Sequence, residues 1–330
     1  MVLRHDLRID VTAAVPDLPG APHETAVTVI ASDSAWPPTV VLFGFPGGGY
    51  GRGYYDLQVD GHLGYSEAEH HVEHGWLVVA CDHLGVGDST LPDPMLLSFE
   101  VCAAANDATV RSVLARLADG TLAPGLAPVP DRPFVVGAGQ SMGGSLTIVA
   151  QGLHHTFDAI AVLGFSAIHT VLPTPTGVVE GFDVARGEFG DIEASSALLH
   201  ATDTFGYAFH LEDVPADIVA ADLDGYPLHL DTPKPPWCSS TMPMAALSML
   251  TENVVQAEAA TIDVPVLTVA GERDVVPDIH AEPGAFRLSA DVTAAEMVGS
   301  AHMHNFATTR VWLWKRLEAW VDGLISTYGS

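Results

Sequence analysis

Residues 134–144 read FVVGAGQSMGG, and this stretch decides the fold. It opens with an apolar run that is typical of a buried strand, and a helical pattern follows at residues 145–151. Between the two, residues 139–143 (GQSMG) match the pattern G-x-S-x-G. A serine at a strand-to-helix turn adopts a strained backbone, and small residues two positions away on either side let strand and helix cross closely. The helix N-terminus places backbone N–H dipoles beside a developing oxyanion, so the stretch predicts that Ser141 is a nucleophile.

The same glycines allow two other interpretations. Gly137, Gly139 and Gly143 resemble a loose dinucleotide-binding fingerprint, which would need an acid at the end of the next strand. The candidate acid, Asp158, precedes that strand and therefore stands at its wrong end. A plain glycine-rich turn is the second alternative. The position of the motif between a strand and a helix favours the nucleophile.

Short apolar runs alternate with helical patterns along the chain, which favours an α/β architecture with a mostly parallel sheet covered by helices. The runs lie at 39–45, 76–81, 133–136, 159–163, 264–270 and, more weakly, 292–298. Helical spacing of apolar residues covers 99–117, with Gly120 as a stop, and a second apolar stripe covers 313–324. The region before residue 39 predicts one or two strands at the sheet edge.

Residues 170–250 break this alternation. The region contains prolines at positions 173, 175, 215, 227, 233, 235 and 236, among others, together with scattered aromatic and acidic residues. Regular strands of the main sheet are not expected there. We interpret the region as an insert of helices and loops over the carboxyl edge of the sheet. An independent domain is the alternative, but the β-rich pattern resumes at Val264, which makes an insert simpler.

The chain is strongly acidic. Its 330 residues include 13 Lys and Arg against 41 Asp and Glu, which gives a net charge of −28 at pH 7. Nucleic-acid binding needs basic patches that replace counterions along phosphate, so this class is excluded, and an anionic membrane surface is disfavoured. A hydrophobic content of 48% describes a globular chain with a large core. A solvated acidic surface is the simplest interpretation, and a specific cationic partner is the alternative.

Cysteine use and the N-terminal residues indicate the compartment. Cys81, Cys102 and Cys238 are too few for a disulfide framework, and none belongs to a CxxC pair. No apolar leader is visible in the first twenty residues, and no run of about 18 apolar residues could span a bilayer. These features predict a soluble cytoplasmic protein. They leave the oligomeric state open.

Four further segments resemble the α/β-hydrolase fold family. Residues 44–50 (GFPGGGY) are similar to its oxyanion loop, and 81–89 (CDHLGVGDS) to its D-x-x-G-x-G-x-S segment. Residues 271–277 (GERDVVP) and 299–302 (GSAH) are similar to its acid turn and histidine loop. The resemblance implies an α/β-hydrolase fold, with a mostly parallel sheet, a core formed by 1–169 and 251–330, and a cap at 170–250 inserted after the sixth strand.

The resemblance also implies a catalytic triad in the order Ser, Asp, His. Ser141 is the expected nucleophile, Asp274 the orienting acid and His302 the base. A serine hydroxyl needs an imidazole to take its proton, and that imidazole needs a carboxylate to hold its tautomer. Glu272 and Asp278 are alternatives to Asp274, although the G-x-x-D-x-x-P spacing favours Asp274. His304 is the alternative base if the loop register differs.

The oxyanion loop departs from the common His-Gly pattern of the family. Phe45, Gly48 and Gly49 are all candidate N–H donors to the oxyanion. Because a glycine run lets the backbone approach a substrate closely, we favour Gly48 and Gly49. The N–H of Met142, directly after the nucleophile, is the expected second donor. A plain turn is the alternative role for the glycine run.

A histidine pair is the one candidate for a metal site. His70 and His74 stand four residues apart on an expected helix, with His71 between them, and such a pair can bind a metal. No third ligand is evident and the HExxH pattern is absent, so we interpret these residues as a solvated helix face. No cofactor or metal is expected.

These patterns predict a serine hydrolase that cleaves a small, apolar carboxylic ester through an acyl-enzyme. A lactonase, amidase, thioesterase, C–C hydrolase or acyltransferase could use the same triad, and a non-catalytic binding protein could share the fold. Some of five aromatic residues of the cap are expected to contribute an apolar wall to the pocket, and the alternative for each of them is the small core of the cap itself. They are Phe205, Tyr207, Phe209, Tyr226 and Trp237.

Overall fold

One eight-stranded sheet dominates the structure, a computed structural model that describes residues 1–32, 36–179, 186, 202–224, 226–228, 230 and 234–328. The strands in chain order are β1 (Val2–Asp10), β2 (Glu24–Ser32), β3 (Val40–Phe45), β4 (Leu77–Cys81), β5 (Phe134–Gln140), β6 (Ala159–Leu163), β7 (Leu172–Thr174), β8 (Gly177–Val179), β9 (Val266–Arg273) and β10 (Val292–Ala301). The order across the sheet is β1-β2-β4-β3-β5-β6-β9-β10. In this sheet β2 pairs antiparallel with both β1 and β4. The remaining neighbours across the sheet, from β4 through β3, β5, β6 and β9 to β10, all pair parallel.

Helices accompany the sheet in the predicted alternation. They are α1 (Glu67–Glu73), α2 (Phe99–Asp119), α3 (Met142–His154), α4 (Thr202–Phe209), α5 (Ala216–Leu223), α6 (Gln256–Ala259) and α7 (Arg310–Tyr328). The hydroxyl of Ser98 accepts from Val101 N–H at the start of α2, and Gly120 ends the same helix in a left-handed conformation with φ 78°. The predicted stop at Gly120 is confirmed.

The central strands are buried on both faces. Every residue of β3, β4 and β6 is buried, as expected for apolar runs inside a parallel sheet that carries helices on each side. β1 instead alternates between partly buried and exposed residues, because it is the antiparallel edge strand. The predicted edge strands before residue 39 are therefore confirmed.

The carboxyl ends of the parallel strands bring the candidate residues to one edge. β5 ends at Gln140, directly before Ser141, and β10 ends at Ala301, directly before His302. β9 runs to Arg273, directly before Asp274. Parallel strands share this edge, which is where open α/β sheets bind their ligands.

The region between β6 and β9 contributes no strand to the main sheet within its described residues. β7 and β8 form a separate two-stranded hairpin, and α4, α5 and α6 follow. The hairpin is absent from the prediction of helices and loops, because its two strands are only three residues long. The exact division into core and cap stays a prediction.

No helix within the described residues is both long enough and apolar enough to cross a membrane.

Candidate active site

Ser141 occupies a strained turn between β5 and α3. Its φ is 54° and its ψ −120°, a conformation that residues with a side chain rarely adopt. A Cβ atom at Gly139 would collide with the carbonyl oxygen of Gly143, and one at Gly143 would collide with that of Phe45. The glycines of the motif therefore allow the strand, the helix and the end of β3 to meet beside Ser141. The turn has the geometry that the G-x-S-x-G pattern predicts.

Asp274 and His302 are joined by a short hydrogen bond. His302 Nδ1 lies 2.7 Å from Asp274 Oδ1, and both side chains are buried. Burial raises the pKa of the Asp274 carboxyl, but the charge and hydrogen bonds of His302 and His304 outweigh it and hold that pKa well below its usual range. Asp274 is therefore a carboxylate that accepts the Nδ1–H of His302, which leaves Nε2 of the ring as a proton acceptor.

The rival acids lie elsewhere. Glu272 is exposed and accepts from Gly299 N–H at 3.0 Å, while Asp278 is exposed and accepts from His280 N–H. The hydrogen bond of His302 Nδ1 goes to Asp274 and not to either of these acids. Asp274 is the acid that the structure brings to His302, as the spacing of the motif predicts.

His304 also contacts the acid, which the sequence does not foresee. Its Nε2 lies 2.8 Å from Asp274 Oδ2, and the ring is buried. Only His302 of the two histidines lines the cavity that also exposes Ser141. This placement supports His302 rather than His304 as the base.

A mostly apolar cavity lies over Ser141 and His302. Its walls include aromatic, methionine and aliphatic side chains, and no Asp, Glu, Lys or Arg among the described residues. The apolar lining consists of Tyr50, Leu172, Phe205, Phe209, Tyr226, Met242, Ala246, Leu247, Met249, Leu250, Val275 and Met303. Ser141 Oγ and His302 Nε2 face this shared space without a hydrogen bond between them among the described contacts. Such bonds are commonly long until a substrate binds.

Gln140 is a lining residue that the sequence analysis misses. Its Nε2 donates to the carbonyl oxygen of His302 at 3.2 Å and lies 3.4 Å from His302 Nε2. The side chain thus contacts the nitrogen that would receive the serine proton. The variable position of G-x-S-x-G gives no signal of this contact.

The glycine loop approaches Ser141 most closely at Gly47. A Cβ at Gly47 would lie 3.0 Å from Ser141 Cβ. Gly47 and Gly48 line the cavity, whereas Gly49 lies against Tyr226 and Pro227 of the cap and is not among the lining residues. Of the two predicted loop donors, Gly48 therefore faces the cavity and Gly49 does not.

A buried histidine, His83, contacts the glycine loop through the carbonyl oxygen of Pro46. His83 Nε2 lies 3.0 Å from the carbonyl oxygen of Pro46, and the ring stacks on Phe45 with centroids 5.7 Å apart. Burial lowers the pKa of His83 to about 4, so the ring is neutral at neutral pH and donates its Nε2–H to Pro46. A single histidine in the sequence carries no mark of this role.

Three of the five predicted cap aromatics reach the cavity, namely Phe205, Phe209 and Tyr226. Tyr207 instead lies under the guanidinium of Arg273, 4.0 Å from its ring centroid. The indole of Trp237 donates to Asp222 at 3.0 Å. Some of the five aromatics therefore line the cavity, as predicted, and helix α4 directs Phe205 and Phe209 toward the cavity and Tyr207 away from it.

Asp222 anchors the cap to the core. Its buried carboxylate accepts from Tyr50 Oη at 2.8 Å, from His210 Nε2 at 2.8 Å and from Trp237 Nε1. Tyr50 follows the glycine loop directly, so one side chain of α5 fixes the position of a cavity wall. An acid near the carboxyl end of a largely apolar helix is the sequence signal of this anchor.

The solvated helix face that the sequence predicts is confirmed at His74, which is exposed, and wrong at His71. His71 is fully buried, with Nδ1 3.0 Å from Glu318 Oε1, and its ring stacks on Trp76. His70 and His74 also approach Glu318, because α7 packs across α1. Within the described residues no group of histidine, cysteine and acidic side chains has the arrangement of a metal site.

The dinucleotide alternative does not fit the placement of its acid. Asp158 lies at the amino end of β6, bonded to Arg132 and to Val135 N–H. Ser141 and the glycine turn lie at the opposite, carboxyl edge of the sheet.

Solved structures with this architecture identify the fold as the α/β-hydrolase fold. A bromoperoxidase from Bacillus anthracis superposes with a TM-score of 0.64 at 14% identity, covering 96% of this chain and 100% of that one. A carboxyl esterase from Bacillus coagulans gives 0.59 at 15%, covering 98% and 99%. A proline iminopeptidase from Mycobacterium smegmatis gives 0.56 at 18%, covering 92% and 97%. No family model and no curated protein matches the sequence, so the likeness is one of fold.

Proposed function

We propose that the protein is a serine hydrolase that cleaves a small, apolar carboxylic ester. The observation that carries the proposal is the 2.7 Å bond between His302 Nδ1 and Asp274 Oδ1, with the other face of the imidazole in the cavity that exposes Ser141. A serine in a strained turn, an imidazole with an unprotonated Nε2 and a buried carboxylate are the parts that nucleophilic acyl transfer needs.

The reaction proceeds through an acyl-enzyme. His302 Nε2 takes the proton of Ser141 Oγ as the oxygen attacks the ester carbonyl, and Asp274 stabilises the imidazolium that forms. Met142 N–H, which has no acceptor within its helix, and Gly48 N–H donate to the oxyanion. The alcohol leaves with the proton from His302, and a water activated by the same imidazole then releases the acid.

The lining of the cavity supports an uncharged substrate. Burying a carboxylate or ammonium group without a partner is costly, and the described lining offers no opposite charge to either. Aromatic and methionine side chains instead favour an apolar acyl or alcohol group. The structural likeness to a carboxyl esterase agrees with this reaction.

A fluorophosphonate probe tests the proposal. It should label the protein at Ser141, as located by peptide mass spectrometry, and a panel of neutral esters, lactones, amides and charged esters should show turnover of neutral esters first. A protein that is folded yet neither labelled nor active on any ester would contradict the proposal.

A further inference from the structure

Two imidazoles share the single carboxylate of Asp274. Oδ1 accepts from His302 Nδ1 at 2.7 Å and from Val275 N–H at 2.6 Å. Oδ2 accepts from His304 Nε2 at 2.8 Å and from Gly271 N–H at 2.7 Å. Each oxygen therefore has two donors, one from an imidazole and one from the backbone. A triad needs only the first imidazole, so the second bond calls for its own explanation.

The surroundings of His304 determine which of its nitrogens carries the proton. The ring is 1% exposed, and Nδ1 is buried with no hydrogen-bond partner in the described part of the chain. A doubly protonated ring would bury a charged N–H donor without an acceptor at Nδ1, which is far costlier than an unpartnered lone pair. His304 is therefore neutral, with its proton on Nε2, where it donates to Asp274.

The two rings are held side by side by the backbone. His304 N–H donates to the carbonyl oxygen of His302 at 3.1 Å. Gly164, with φ 60°, faces both rings, and a Cβ there would lie 3.0 Å from His302 Nδ1 and 3.3 Å from His304 Cε1. Neither ring has room to exchange places with the other. His304 thus reaches the acid but not the cavity in which the serine proton moves.

We propose that His304 is a positioning residue for the triad: as a neutral Nε2–H donor it holds Oδ2 of Asp274, so that Oδ1 faces His302 Nδ1. The inference rests on the proposed function, since it gives His302 the role of base. A carboxylate held at both oxygens cannot rotate away when the imidazolium forms and dissolves in each cycle. His304 keeps its proton throughout and exchanges none with the substrate.

Two substitutions separate the hydrogen bond from mere packing. His304→Phe keeps a ring of similar size but removes the donor, whereas His304→Gln keeps an N–H donor within reach of Oδ2. Loss of one hydrogen bond to a buried charge predicts a fall in kcat of about 10- to 100-fold for His304→Phe, with KM changed less than about threefold. His304→Gln should recover kcat to within about fivefold of the unsubstituted protein.

Ring-nitrogen NMR of histidine-labelled protein reads the mechanism directly. We expect His304 to show a protonated Nε2 and a bare Nδ1 across the pH range of activity, and the His302 Nδ1–H signal to survive in His304→Gln and to shift or broaden in His304→Phe. The control is His23→Phe, which replaces a buried histidine directly before β2, outside the site, and should leave kcat unchanged.

The outcomes distinguish this inference from the proposed function. Lack of labelling at Ser141 in the unsubstituted protein contradicts the proposed function itself. With labelling intact, the positioning role is wrong if folded His304→Phe keeps kcat within about twofold. It is equally wrong if His304→Gln is as slow as His304→Phe, or if His304 is doubly protonated at the pH of activity.

Discussion

The two walls of the cavity are built in different ways. On the sheet side, Asp274 is fixed by four hydrogen bonds of 2.6–2.8 Å, and the side chains follow directly on the ends of strands. On the cap side, the described wall consists mainly of aromatic, methionine and leucine side chains, and the hydroxyl of Tyr226 donates to Gly48 O at 3.4 Å. The difference indicates that the sheet side determines whether the reaction occurs and the cap side determines on which substrate.

The largest expected effect lies on the sheet side. Ser141→Ala should lower kcat by about 10⁴- to 10⁶-fold, because the covalent route needs the hydroxyl. Hydrolysis of the best ester and labelling by the fluorophosphonate measure the loss. Ser145→Ala is the matched control, since it removes a buried hydroxyl of the same helix that donates to Met142 O. Turnover by Ser141→Ala near that of the unsubstituted protein would refute the mechanism.

The second effect separates the two histidines of the site. His302→Ala should lower kcat by about 10⁴-fold or more, because no other imidazole among the described residues lines the cavity. His304→Ala should lose about 10- to 100-fold, the cost of one hydrogen bond to a charge. Steady-state kinetics on one ester ranks the two variants. The reverse ranking would transfer the role of base to His304.

Low pH should remove activity because a single proton binds to the imidazole base on the sheet side of the cavity. Asp274 stays ionised because its pKa lies well below its usual range, so the proton that stops the reaction is the one that the imidazole base takes up. On the acid side of the profile, kcat/KM should fall about tenfold per pH unit. The depressed pKa of Asp274 stabilises the fold above roughly pH 4, and this contribution is lost as pH falls through the folded pKa. The pH profile of kcat/KM measures the loss of activity, and tryptophan fluorescence at the same pH values measures the loss of the fold. A slope of two in the acid limb of the activity profile would contradict the uptake of a single proton.

Loss of the cap anchor should lower the free energy of unfolding more than it lowers the rate of the reaction. Asp222→Ala leaves three buried donors without an acceptor, which should cost about 3–5 kcal/mol in the free energy of unfolding. Urea unfolding measures this cost. Asp217→Ala, an exposed acid on the same helix, should leave the midpoint nearly unchanged. Equal midpoints for the two variants would show that Asp222 anchors nothing.

The smallest effects should come from the cap wall and should alter preference rather than rate. Ala substitutions at Phe205, Phe209 and Tyr226 should change relative kcat/KM values across esters of different chain length by about 10-fold, as expected for lost apolar contacts. Tyr207→Ala is the control, because that ring faces Arg273. An unchanged ranking of esters in all three variants would remove the cap as the specificity element.

Local sequence patterns predict the positions of helices and strands better than they predict tertiary contacts. The strand at 159–163 and the start of α2 are placed correctly because apolar runs and the helical spacing of apolar residues are local signals. β5 extends four residues past the predicted end at 136, since residues 137–140 pair with β3 or β6 although glycine and alanine there give no strand signal. The strand propensities of single residues do not predict such pairing between distant strands.

The same division holds for the candidate site. Ser141, Asp274 and His302 are each marked by a motif, and the structure brings Asp274 and His302 together as predicted. Gln140 and His83 carry no motif, because their roles depend on partners 162 and 37 residues away. The shared use of Asp274 by two histidines depends on the turn at 302–304, whose geometry cannot be derived from residue types alone.

The carboxyl end of α4 has a consequence for exchanging caps between relatives. His302 N–H donates to Ala208 O at 3.1 Å, Met303 N–H donates to Phe209 O at 3.0 Å, and Arg273 donates to His210 O at 2.7 Å. The backbone of the cap is thus part of the support of both catalytic loops. A graft that replaced the whole cap would also remove these three acceptors. The new substrate selectivity would then be accompanied by a displacement of His302, the proposed base. Engineering of substrate range should therefore keep residues 206–210 and change the side chains on either side of them.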